Sequence, residues 1–158
     1  MSEEKILTAA MEAQVGKTLN IHVMQIDRRM LDQYLEATGD PNPIYRDRAA
    51  ALQAGYAEIP VPPGLLTTMQ MEGGSPSEHF PEQKHLGGAV DGGGEWEFFH
   101  PVYVGDVITA SRKLLSLKER KGKLGPMIIN TFEVTYRNQR SVVVARSRWS
   151  TIRYPTHP

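Results

Sequence analysis

The C-terminal part of the chain alternates apolar and polar side chains with period two, and this alternation restricts the possible folds more than any other feature. The stretch "MIINTFEVTYR", starting at Met127, puts Ile128, Phe132, Val134 and Tyr136 on one face. "RNQR" then reads as a tight hairpin turn, and "SVVVARSRWSTIRY" sets Val143, Ala145 and Trp149 against Arg146 and Arg148. Upstream, "DVITASRKLLSLKE" from Asp106 is a further strand and "EWEFFHPVYV" from Glu95 is β-rich. The result is an antiparallel meander with one apolar face, which must be covered by something else.

The first part of the chain supplies the cover. Ser2 caps an expected helix with Ile6, Leu7, Ala10 and Met11 on one face, ending near Gly16. "TLNIHVMQI" is a short strand. Asp27 caps a second helix whose stripe is Met30, Leu31, Tyr34 and Leu35, with Gly39 as its stop. "RDRAAALQAG" is a short helix ending at Gly55, and "IPVPPG" is extended because its prolines cannot enter a helix interior. After Gly64, "LLTTMQME" is a buried helix. "GGSPSEHFPEQKHLGG" is an expected exposed loop, and its length gives it a lid-like character.

A chain of 158 residues with 40% hydrophobic and 23% charged side chains suits one globular domain, expected over 1–158. Eighteen basic and 18 acidic residues cancel, which disfavours nucleic-acid and anionic-membrane partners. The absence of cysteine excludes disulfides and thiolate metal sites. With an acidic, amphipathic N-terminal segment and no long apolar run, a cytoplasmic protein is expected. His22, His79, His85 and His100 have no ligand spacing, so no metal site is expected. "DGGGE", Asp91 to Glu95, lacks the Lys-Ser/Thr helix start of a phosphate cradle and reads as a strand bulge or a close backbone approach.

The loop after Gly39 carries the chemistry. "GDPNPIYRD" places Asp40 on a loop stiffened by Pro41 and Pro43, with Asn42 between them and Tyr45 following. Asp40 before proline is in itself a turn former, and Asn42 is suited to holding the loop backbone. "TGDPNPIYRD" nevertheless resembles the signature of the MaoC-like, or (R)-specific enoyl-CoA hydratase, family, whose pattern runs Gly-Asp-x-Asn-Pro-aliphatic-His-x-Asp. "VGKTLN", "PPGLL", "FFHPVYVGDVIT" and "NQRSVVVARSRW" are similar to the fatty-acid-synthase-type dehydratase N-terminal branch of that family, so the resemblance covers nearly the whole chain.

The resemblance implies an α+β hot-dog fold, an antiparallel sheet wrapped around a central helix, in dimers that complete a joint sheet. It also implies an acyl thioester of coenzyme A or acyl carrier protein as substrate, with no other cofactor, and reversible hydration of a 2-enoyl thioester to the (R)-3-hydroxyacyl thioester. Carried onto this chain, the catalytic position is Asp40, and the substrate and oxyanion positions are Asn42 with the helix-start amides of Gly64 and Leu65. Tyr45 stands where the family has histidine. Hydration needs a base for the water proton, an acid for the α-carbon, and donors for the charge on the thioester oxygen. A phenol with an ordinary pKa near 10 donates or accepts a hydrogen bond but is no base at neutral pH.

Three functional readings follow. The first is the His-lacking subunit of a heteromeric hydratase or dehydratase, paired with a His-bearing MaoC-like subunit. The second is a self-sufficient homo-oligomer using Asp40 and Tyr45. The third is a non-catalytic acyl-CoA binding protein, with Tyr45 as a pocket wall or a packed core residue. His85 is the histidine best placed to replace the missing base. "KERKGK", Lys118 to Lys123, reads as a solvated hairpin tip or as a contact for a coenzyme A phosphate.

Overall fold

A computed structural model of the chain describes residues 5–68, 83, 86–123 and 125–156. Strands β1 (Thr18–Gln25), β2 (Gly88–Phe98), β3 (Val107–Gly122), β4 (Gly125–Arg137) and β5 (Val143–Tyr154) form one five-stranded sheet in the order β1-β3-β4-β5-β2. Every neighbouring pair is antiparallel. The alternation along β4 is realised as read: Ile128, Phe132, Val134 and Tyr136 are buried. Helices α2 (Arg28–Thr38), α3 (Arg48–Gln53) and α4 (Pro63–Thr68) accompany the sheet, with Leu31 and Leu35 of α2 and Leu65 and Leu66 of α4 buried in one cluster with Ile108, Val134 and Tyr136. An antiparallel sheet wrapped over helices in this way is the hot-dog arrangement, an α+β fold.

The second buried cluster, Leu7, Met11, Leu86, Leu114, Ile128 and Phe132, lies further along the long strands. The Ser2 cap expected there lies outside the described residues. Within them, α1 covers only Ala9–Glu12, because Thr8 takes the capping role, its Oγ1 accepting the Met11 N–H at 3.2 Å. The Leu7 N–H is instead committed to Glu119 Oε2 at 3.0 Å, which ties this extended lead-in to β3.

Three further expectations change in detail. The strand expected from Glu95 begins at Gly88 and ends at Phe98, since Pro101 and the Pro60–Tyr103 bridge draw the following residues toward the helices. "DGGGE" is the bulge within it, with the register shift between Asp91 and Gly94 and Gly93 at φ 93°. The turn expected over "RNQR" runs instead from Asn138 to Val142, with Arg137 still in β4, because Asn138 Oδ1 accepts the N–H groups of both Arg140 (3.0 Å) and Val142 (3.1 Å). Most of the expected loop from Gly73 to Gly88 lies outside the described residues. Of its described members, Gly87 is exposed but Gln83, Leu86 and Gly88 are buried, with Gln83 Nε2 donating to buried Asn130 Oδ1 at 3.0 Å. Among the described residues no helix is long and apolar enough to cross a membrane.

Candidate active site

Helix α2 stops where Gly39 adopts the left-handed conformation, φ 67°, which a glycine enters without a Cβ penalty. A relay of short side chains then holds the loop. Asp40 Oδ1 accepts the Asn42 N–H at 2.9 Å, Asn42 Oδ1 accepts the Ile44 N–H at 3.2 Å, and Asp47 Oδ1 accepts the Ala49 N–H at 2.7 Å. Each carbonyl or carboxylate thus fixes the amide two residues on, as Asx turns do. Arg46 closes the loop by donating from Nη2 to the Asp40 carbonyl at 2.8 Å. Pro43–Tyr45 form one 3₁₀ turn, and this turn carries the Tyr45 ring onto the core.

Asn42 is exposed and its side-chain oxygen is spent on the loop, so the local role read for it is realised. Asp40 is half-buried. One carboxylate oxygen is engaged with Asn42, and the other has no hydrogen-bond partner among the described residues. The Tyr45 phenol holds its proton more tightly than an ordinary tyrosine, first because burial disfavours the phenolate, then because of the Asp40 carboxylate, with Tyr56 and Tyr34 contributing less. Asp40 and the three phenols therefore share one electrostatic neighbourhood, which favours the protonated form of Tyr45.

At the helix start the two amides differ. The Leu65 N–H donates to the Pro62 carbonyl at 2.9 Å, whereas the Gly64 N–H has no partner among the described residues. Gly64 is glycine for a steric reason: a Cβ built there would lie 2.2 Å from the Tyr34 hydroxyl oxygen. In the sequence Tyr34 belongs simply to the apolar stripe of α2. Its ring does pack on the core, yet its hydroxyl lies against Gly64. A tyrosine within a helical stripe gives no sign of where its polar tip ends.

Beside Tyr45 lies a cavity of about 290 Å³ lined by Tyr45, Tyr56, Pro63, Phe98, Phe99 and His100, with Pro60, Val61, Pro101 and Val102 completing the wall. His85, the histidine favoured from sequence, lies outside the described residues. His100 is the histidine that shares the Tyr45 cavity, brought there by the Pro60–Tyr103 bridge, a contact between segments far apart in sequence. Among the described residues no group of three or more His, Cys, Asp or Glu is arranged to hold a metal ion.

The architecture is a hot-dog domain with an acid-bearing loop beside its helix start. The model of the FAS1-like dehydratase domain region matches residues 13–147. A UPF0336 protein of Thermobifida fusca is 30% identical over 99 residues, 62% of this chain and 65% of that one. A probable enoyl-CoA hydratase alpha subunit of Thermomonospora curvata is 29% identical over 161 residues, 91% of this chain and 50% of that one. The chain thus spans between half and two thirds of these relatives' lengths. In structure it resembles the ChsH1-ChsH2 complex of Mycobacterium tuberculosis with a TM-score of 0.77 at 21% identity, covering 95% of this chain and 90% of that one, a likeness of fold. The chain belongs to the MaoC-like family, in its FAS1-like dehydratase branch.

Proposed function

We propose that this chain is the histidine-lacking subunit of an (R)-specific 2-enoyl-thioester hydratase or 3-hydroxyacyl-thioester dehydratase, working with a MaoC-like subunit that carries the histidine. The observation that carries the reading is Tyr45. It occupies the motif's histidine position, it lines the cavity, and its proton is held by burial and by Asp40. Hydration forms a C–O bond at the β-carbon, moves the water proton to a base and delivers a proton to the α-carbon, while charge passes through the thioester oxygen. In this chain the Gly64 N–H and the Tyr45 hydroxyl are suited to orient that oxygen. Asp40 is suited to hold water. No group in the motif accepts the water proton as imidazole does. The substrate brings its own coenzyme A or acyl carrier protein, and the reading requires no other cofactor.

The alpha-subunit name of the Thermomonospora curvata relative and the two-component complex of Mycobacterium tuberculosis support a partner. So does the sheet: among the described residues β2 is an edge strand with one side unpaired, an edge suited to completion by a second subunit. The test is hydration of a 2-enoyl-CoA. The chain alone turns over slowly, and adding a His-bearing partner restores the rate. Brisk turnover by the chain alone, lost on Tyr45→Phe, would overturn the assignment in favour of a self-sufficient enzyme.

A further inference from the structure

The walls of the Tyr45 cavity are rings held in place from behind. Trp96 and Phe98 project from the same face of β2 and stack with centroids 5.6 Å apart and planes 10° apart. Trp96 in turn stacks on buried Tyr136 at 5.2 Å, so Phe98 ends a column rooted in the core. Phe99 lies under the Arg146 guanidinium, 5.7 Å from its ring centroid, and its N–H is fixed to the Val144 carbonyl at 2.9 Å. Tyr56 and the fixed rings of Pro60 and Pro63 also line the cavity.

Phe98 and Phe99 are 43% and 45% exposed at the mouth of this cavity, an arrangement that leaves aromatic surface in water unless something covers it. Among the described residues no Leu, Ile or Met lines it, the side chains that re-pack around a flexible linear chain. Flat walls on fixed backbones favour a flat, rigid occupant, because such a group gains stacking contact without losing internal freedom on binding.

We propose that the cavity receives a ring-bearing acyl group, alicyclic or aromatic, of one or two rings. This rests on the thioester reading above and specifies its substrate class. The volume sets the limit: about 290 Å³ lies at the lower end of the ~300–1,000 Å³ usual for small-molecule sites. One or two rings fill it while the thioester reaches Tyr45. The Tyr45 and Tyr56 hydroxyls and the His100 imidazole are the polar groups at its wall.

Calorimetric titration of the purified protein with saturated thioesters, which cannot be hydrated, tests this. Cyclohexanecarbonyl-CoA is compared with heptanoyl-CoA and phenylacetyl-CoA with octanoyl-CoA, with free coenzyme A as reference. Each ring-bearing thioester is expected to bind roughly tenfold more tightly than its linear counterpart. Phe98→Leu and Phe99→Ala each erase most of that preference, with the affinity for free coenzyme A and the oligomeric state by light scattering unchanged. Equal or tighter binding of the linear thioesters overturns the proposal while leaving the thioester reading intact. Variants that dissociate the oligomer yet keep the ring preference also overturn it, by assigning the two phenylalanines to a subunit contact. If neither coenzyme A nor any thioester binds, the thioester reading itself fails and this inference falls with it.

Discussion

Replacing Gly64 with alanine tests the geometry of the helix start directly. The new Cβ would lie 2.2 Å from the Tyr34 hydroxyl oxygen and 3.3 Å from the ring carbon that bears it. Ordinary contact begins near 3.4 Å, so the hydroxyl must retreat by more than an ångström. Retreat is resisted, because the Tyr34 ring packs on the cluster formed by Leu31, Leu35, Val61 and Leu65. Overpacking of this kind costs about 1–3 kcal/mol, offset by at most ~1 kcal/mol from the better helix propensity of alanine. The net expectation is a loss of about 1–2 kcal/mol, or roughly 3–6 °C in Tm for a chain of this size. Tyr34→Phe removes the clashing oxygen, so Gly64→Ala in that background is close to neutral. Thermal and urea unfolding of wild type, the two single variants and the double variant closes a double-mutant cycle with an expected coupling of about 1–2 kcal/mol. Strict additivity of the two substitutions would refute the placement of the Tyr34 hydroxyl against Gly64.

Two other expectations concern buried polar groups. Gln83 and Asn130 exchange hydrogen bonds at 3.0 and 3.3 Å with both residues fully buried, so Gln83→Met strands the Asn130 amide at a cost of about 1–3 kcal/mol. Gln83→Met with Asn130→Leu recovers much of this in urea unfolding, and a double variant no better than the single would count against a closed pair. The Tyr45 phenol, raised first by burial, and the Tyr136 phenol, raised by burial against a Ser147 hydrogen bond that lowers it, both ionise above the ordinary tyrosine value. A raised folded-state pKa gives stability that is present below about pH 10 and is lost as pH rises through the folded values. Tm therefore falls in that alkaline window, and Tyr45→Phe flattens part of the fall; a Tyr45→Phe profile parallel to wild type would show that the phenol is not held.

The elements most legible in the sequence were those governed by local rules. Period-two alternation locates β4, Asp27 and Gly39 bound α2, and the glycine run at Gly92 to Gly94 reads as a bulge or a close backbone approach, of which the bulge is realised, because each depends on neighbours within a few residues. The hydrogen-bond relay of Asp40, Asn42 and Asp47 is local in the same sense. Long-range contacts were not legible. His100 reaches the cavity through a bridge between Pro60 and Tyr103, and Tyr34 meets Gly64 across the interface between α2 and α4. The commitment of the Leu65 N–H to Pro62 was also invisible, since it depends on how tightly the chain turns into the helix.

The loop geometry also explains how a site of this family can exchange histidine for tyrosine without losing its shape. The hydrogen bonds that set the path from Asp40 to Ala49 use the side chains of Asp40, Asn42 and Asp47 and the guanidinium of Arg46. Residue 45 contributes to them only its backbone N–H, which donates to the Asn42 carbonyl at 3.3 Å and would do so with any side chain except proline. Fold and proton transfer are therefore separable at this position. A loop that needed the imidazole for its own conformation would collapse with the substitution, whereas here a tyrosine packs onto the core in the same turn. What changes is the proton inventory alone: a group that ionises near neutrality is replaced by one that burial and the Asp40 charge keep neutral. Under the function proposed above, the thioester would be bound and oriented on this loop and helix start while the base came from another chain.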